Sequence, residues 1–87
     1  MDRLIRLRDT GLDWRAVEDQ VIVLDSAASE YLGVNRTGAV LWHRIAEGAN
    51  RKALIGVLEA EGADAAGARR DVDLFVARLD QLGLLSP

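Results

Sequence analysis

The chain has 87 residues, 49% of them apolar, with a net charge of −3 and a pI near 5.0. One domain spanning residues 1–87 is expected, with enough apolar material to exclude intrinsic disorder, and the acidic balance disfavours a duplex-DNA binder, whose contact face is basic. The absence of cysteine removes disulfides, thiolate metal sites and cysteine nucleophiles together.

Met1 to Arg8 carries charges where a signal peptide needs an unbroken apolar run. No window approaches the roughly 20 apolar residues of a membrane span, so a cytoplasmic protein without membrane contact is expected. Arg3, Arg6 and Arg8 form the densest basic segment, interleaved with apolar residues at strand spacing. Residues 1–11 read as an N-terminal extension or an extra edge strand, ending at the turn signal Thr10-Gly11. Leu12 to Glu18 reads as a first strand, with Leu12, Trp14 and Ala16 on one parity, and Asp19-Gln20 as a tight turn. Val21-Ile22-Val23-Leu24 is a short, β-branched apolar run ending at Asp25, which favours a central strand. Ser26 to Ser29 turns the chain back into a third strand, Glu30–Val34, completing an antiparallel meander.

The remainder has helical periodicity. Asn35 and Thr37 are both good N-cap types, opening a first helix that carries Val40, Leu41, Trp42 and Ile45 and stops at Gly48. Asn50 caps a second helix with Ala53, Leu54, Val57 and Leu58 on one stripe, ending near Gly62. Asp64 caps a third, whose Val72, Phe75, Val76, Leu79 and Leu82 form the apolar set; Gly83 ends it. Leu84-Leu85 is an extended apolar tail that must dock on something. The fold class is α+β: a three-stranded antiparallel sheet followed by three helices that cover one face. The short link at Gly48-Ala49 makes it winged helix-turn-helix-like.

Catalytic chemistry is hard to place on this chain. His43, the single histidine, sits mid-helix with no nucleophile elbow in reach, and the acids lack metal-ligand spacing. Asp71 and Asp73 fall on different faces of a helix. Neither enzyme activity nor a metal or cofactor is expected. Gly38, Gly48, Gly62 and Gly83 read as backbone punctuation. Gly33 is different, because glycine weakens a strand unless it marks a bulge or a close approach. Arg69-Arg70 either contacts phosphate or balances Asp71 and Asp73. From Arg69 to Asp80 three arginines face three aspartates, which makes a poor DNA recognition helix. Trp42 and Phe75 read as core, Trp14 as a cap on the sheet edge, and Tyr31 as a half-exposed groove rim.

The segment Tyr31-Leu32-Gly33-Val34-Asn35-Arg36-Thr37-Gly38-Ala39-Val40-Leu41-Trp42 resembles the PqqD-like family of peptide-recognition elements, which serve pathways to ribosomally synthesised, post-translationally modified peptides. The resemblance covers roughly Val21 to Leu85. It takes in Asp25 at the end of the second strand, the helix start Asn35-x-Thr37-Gly38, Trp42, the acidic third helix around Asp71–Asp73, and Gly83-Leu84-Leu85. The stand-alone length is most similar to the discrete recognition element of lasso peptide biosynthesis. The resemblance implies a non-enzymatic domain that binds the leader region of a precursor peptide and delivers it to a partner leader peptidase, a transglutaminase-like cysteine protease, with a cyclase acting afterwards. The alternatives are a peptide chaperone for a radical enzyme of cofactor or other modified-peptide biosynthesis, and, less favoured, a small winged-helix DNA-binding regulator.

Strand addition is the natural mechanism for such a domain. Glu30, Tyr31, Leu32, Gly33 and Val34 would offer main-chain groups to an extended peptide. About four or five hydrogen bonds at roughly 0.5–1.5 kcal/mol each barely offset the ordering of a flexible segment. Burial of two or three ligand side chains, at about 1.5–3 kcal/mol each, must supply the surplus. The expected groove lies between the third strand and the third helix, lined by Leu32, Val34, Leu74, Phe75 and Arg78 with Tyr31 at the rim. Arg78 and Asp71 are placed to select ligand charges. The pattern leaves open whether Leu32 or Tyr31 looks into the groove.

Overall fold

In the computed structural model, which describes residues 3–87, the chain forms β1 (Leu12–Val17), β2 (Gln20–Asp25), β3 (Glu30–Val34), α1 (Arg36–Glu47), α2 (Arg51–Ala60) and α3 (Ala65–Gln81). The antiparallel sheet has the order β1-β2-β3, with β2 central as its β-branched run implies. Val17 pairs with Gln20, so the hairpin turn is Glu18-Asp19 and not Asp19-Gln20. Glu18 takes the left-handed conformation that this two-residue loop demands, at φ 58°, and Gln20 is thereby drawn into the ladder.

Strand alternation divides β2 cleanly. Val21, Val23 and Asp25 point into the core, while Ile22 lies on the opposite, uncovered face and is exposed. The three helices cover one face only, where Val21, Val23, Leu41, Trp42, Ile45, Leu54, Val72 and Leu79 close the core. Each helix starts on a side-chain cap. Asn35 accepts from the Gly38 amide (3.0 Å), Asn50 from Ala53 (2.8 Å) and Asp64 from Gly67 (2.8 Å); Asn35, not Thr37, is therefore the cap of α1. The buried line of α2 is Leu54 and Leu58, with Ile55 partly covered. Ala53 is exposed, because α2 turns that line toward α1 and α3. Trp14, on the inner side of β1, meets Trp42 edge-on with ring centroids 6.1 Å apart, and closes the core from the β1 side.

The N-terminal stretch is not a fourth strand of this sheet. Of its residues, Met1 and Asp2 lie outside the described ones. Ile5 exchanges hydrogen bonds with Ala49 (2.7 and 3.1 Å). Leu7 lies opposite Leu85, flanked by Arg8 N–H to the Leu84 carbonyl and Ser86 N–H to the Arg6 carbonyl, both 2.8 Å. The apolar tail thus docks on the core, with Leu84 buried. The same stretch lies across the α1–α2 turn, the feature that suggested a helix-turn-helix.

Candidate functional site

The sheet has two edges, β1 and β3, and on β3 the ladder determines which main-chain groups are open. In an antiparallel pair, opposed residues alternate between hydrogen-bonded and non-hydrogen-bonded positions. Ser26 donates to the Gly11 carbonyl at 3.0 Å, one step beyond the Leu12–Asp25 pair. Asp13–Leu24, Arg15–Ile22 and Val17–Gln20 therefore carry the bonds between β1 and β2. Val21, Val23 and Asp25 are left to turn their main chain toward β3, where they face Val34, Leu32 and Glu30. Tyr31 and Gly33 are the residues whose N–H and C=O groups point outward. Four groups are open: two donors and two acceptors.

Beside this edge lies a cleft of about 240 Å³, lined by Val23, Asp25, Glu30, Tyr31, Leu32, Arg78, Leu82 and Leu84. It exists because α3 packs on α2 and not on β3, so sheet and helix diverge toward the C-terminal end of α3. What holds them together at the other end is Gly38. A Cβ at that position would come within 2.6 Å of Val34 Cγ1 and 2.9 Å of Phe75 Cε1, so only glycine lets β3, α1 and α3 meet there. At Gly33, by contrast, a Cβ would touch nothing, and the pairing of Ile22 with Gly33 runs through without a bulge. Thus the close approach that sequence reasoning attached to Gly33 occurs at Gly38, where glycine looked like simple helix punctuation.

Of the nine residues expected at the groove, Glu30, Tyr31, Leu32 and Arg78 line the cleft. Leu32 lies on the inner side of β3, and Tyr31 projects from the outer face at 77% exposure, which resolves the choice between them. Val34 is buried in the core, and Phe75 is partly buried against Gly38. Asp71 and Leu74 are exposed on α3 outside the cleft lining. Sequence reasoning missed Val23, Asp25, Leu82 and Leu84. Leu82, one of the apolar set of the third helix, is 40% exposed, because it caps α3 after the helix has left the sheet. Its spacing from Leu74, Phe75 and Arg78 along one helical face was the available signal.

Asp25 closes one end of the cleft. Its Oδ1 accepts from Arg8 Nη2 (2.7 Å), Ala27 N–H (3.1 Å) and Ala28 N–H (3.3 Å). The Arg8 guanidinium, aided by these two amides, holds the carboxyl below the usual carboxylate range against the opposing effect of burial. Arg8 itself is fixed by the carbonyls of Thr10 (2.8 Å), Gly83 (2.8 Å) and Gly11 (3.2 Å). On the far side of α3, Asp73 takes a bidentate pair from Arg51 (2.7 and 2.9 Å), so its partner is on α2 and is neither Arg69 nor Arg70. Each partner favours the other's charged form, lowering the Asp73 carboxyl and raising the Arg51 guanidinium. Among the described residues no cluster of histidine and acids could hold a metal ion, and no helix is long and apolar enough to cross a membrane. His43 is exposed and stacks edge-on with Trp14, centroids 5.4 Å apart.

Three antiparallel strands, three helices and a cleft beside β3 define a small α+β domain. The model of the family described as coenzyme PQQ synthesis protein D (PqqD) matches residues 20–85, and the chain belongs to that family. No curated protein sequence matches significantly. Among solved structures, the chain is similar to TbiB1 in complex with the TbiA(beta) leader peptide, with a TM-score of 0.86 and 23% identity over 93% of this chain and 94% of that one. It is also similar to a lasso peptide synthetase B1 complexed with the leader peptide, with a TM-score of 0.83 and 25% identity over 95% and 98%. The former likeness concerns the fold alone.

Proposed function

We propose that this protein is a leader-peptide-binding element of lasso peptide biosynthesis, a binding protein and not an enzyme. An extended leader segment adds to β3 as a fourth strand, paired through Tyr31 and Gly33, and its inward side chains enter the cleft over Leu32, Leu82 and Leu84. The observation that carries this is the coincidence of an open strand edge with an apolar-floored cleft. The synthetase B1 structure, a complex with a leader peptide, supports it from outside. Four main-chain bonds at about 0.5–1.5 kcal/mol each do not cover the ordering of a flexible peptide, so affinity comes from the cleft. Residues 1–87 act as one recognition domain. The bound leader is then delivered to a leader peptidase of the transglutaminase-like cysteine type, and a cyclase acts after it.

Fluorescence anisotropy with a labelled leader from the neighbouring precursor gene tests the binding step. Leu32→Asp places a carboxylate in the apolar floor and is expected to lower affinity at least a hundredfold, with an unchanged circular dichroism spectrum. A folded Leu32→Asp protein that binds as tightly as the parent overturns the assignment. Co-purification of the peptidase with the tagged, peptide-loaded protein tests delivery. The family's description as a coenzyme synthesis protein favours a second reading, a peptide chaperone for a radical enzyme of cofactor biosynthesis. Recovery of that enzyme in place of a peptidase would establish it.

A further inference from the structure

We infer that the end of the cleft where Asp25 and Glu30 lie side by side is a binding position for a basic side chain of the incoming peptide, an assignment that rests on strand addition to β3. Asp25 is only 7% exposed, yet it lines the cleft. All three of its hydrogen bonds fall on Oδ1. Among the described residues Oδ2 has no protein partner and is open to solvent from the cleft, the sealed side-chain polar atom that lacks a partner being Trp42 Nε1. Arg8 cannot swing across to serve it, because Nε, Nη1 and Nη2 are each held by a carbonyl at the base of the fold.

Glu30 stands directly opposite Asp25 in the β2–β3 register and on the same face. Cβ atoms so placed are about 4.5–5.5 Å apart, and like charges in that relation repel. Glu30 has no ion pair among the described residues, and Arg78, on the facing wall, lies beyond 4.0 Å of both carboxylates. Arg8, the partner of Asp25, is tied down on the side away from the cleft, and Arg78 on the facing wall reaches neither acid, so the Glu30 carboxylate and Asp25 Oδ2 stay open to a ligand. A lysine or arginine arriving from the peptide can bridge Asp25 Oδ2 and Glu30 with charge-assisted hydrogen bonds, its methylene stem lying along Leu32 and Leu82. The acid pair thus fixes register, while the apolar floor supplies affinity.

A phage-displayed library of random dodecapeptides, panned on the immobilised full chain, tests this without knowledge of the natural leader. Enrichment of lysine or arginine at one position, lost on panning with Glu30→Gln or Asp25→Asn, is the expected result. Asparagine keeps an Oδ1 acceptor for the Ala27 and Ala28 amides; should Asp25→Asn fail to fold, Glu30→Gln decides alone, since Glu30 is exposed. Replacing the selected basic residue by norleucine should weaken binding to the parent protein about tenfold and leave binding to Glu30→Gln unchanged. Enriched peptides that compete at β3 but show no basic preference, or an equally tight norleucine peptide, overturn the inference and leave strand addition standing. If no enriched peptide is sensitive to Leu32→Asp, strand addition itself falls, and the basic-residue position with it.

Discussion

Along one side of α3, Ala68, Val72 and Leu79 are sealed from solvent, whereas along the other Leu74 is 65% exposed and Leu82 lies open at the cleft. The same helix serves as core on its α2 side and as a wall on its β3 side. An apolar stripe wider than the core can use leaves surplus hydrophobic surface. On this chain Leu82 brings part of that surplus to the cleft beside β3, while Leu74 lies outside the cleft. The comparison teaches that exposed leucines on α3 do not signal poor packing. They mark the side where the fold stops short of closing.

The contrast is sharpest in stability. Leu79→Ala should cost about 2–5 kcal/mol through lost burial and a cavity, while Leu74→Ala, on the open side, should stay within about 0.5 kcal/mol. Urea unfolding of both variants measures the difference, and equal midpoints would mean that the two faces are not distinct. Next in size is an effect on binding alone. Because Gly33 directs its N–H outward, Gly33→Pro removes a donor from the free edge without breaking a bond to β2. Peptide affinity should fall about tenfold with the unfolding midpoint little changed. Leu32→Pro, whose N–H faces β2, should instead destabilise the sheet, and reversal of this pattern would refute the parity assigned to β3.

The smallest effect concerns the end of the cleft. The Asp25 carboxyl is held below its ordinary value by Arg8, so its contribution to stability is present above the unfolded carboxylate pKa, about 3.9. It is lost as pH falls through the lower folded value. Thermal midpoints followed from pH 6 down to pH 2 should decline more steeply for the parent than for Arg8→Ala, in which the partner is gone. Parallel declines would show that the pair does not stabilise the fold.

Much of this architecture is legible in residue order. The Val21–Leu24 run, the three side-chain caps Asn35, Asn50 and Asp64, and the spacing of Val72, Val76 and Leu79 rest on local rules of backbone preference and periodicity, which need no knowledge of what lies across the molecule. The site was legible in part for the same reason: β3 and one face of α3 could be named, and with them Leu32 and Arg78. What escaped were relations between distant segments. Asp25 meets Arg8 and neighbours Glu30, Leu84 reaches the cleft floor from the C-terminal tail, and Gly38 is required by Val34 and Phe75 on two other elements.

The amino-acid sequence alone determined the elements, their order and the family, because capping, alternation and helical periodicity act over a few neighbouring residues. Only the tertiary structure decided that Tyr31 and Gly33 carry the open main-chain groups, that Leu82 faces the cleft and that Asp25 closes its end. Ladder parity and the divergence of α3 from β3 depend on how whole elements pack, and short-range rules do not reach that far.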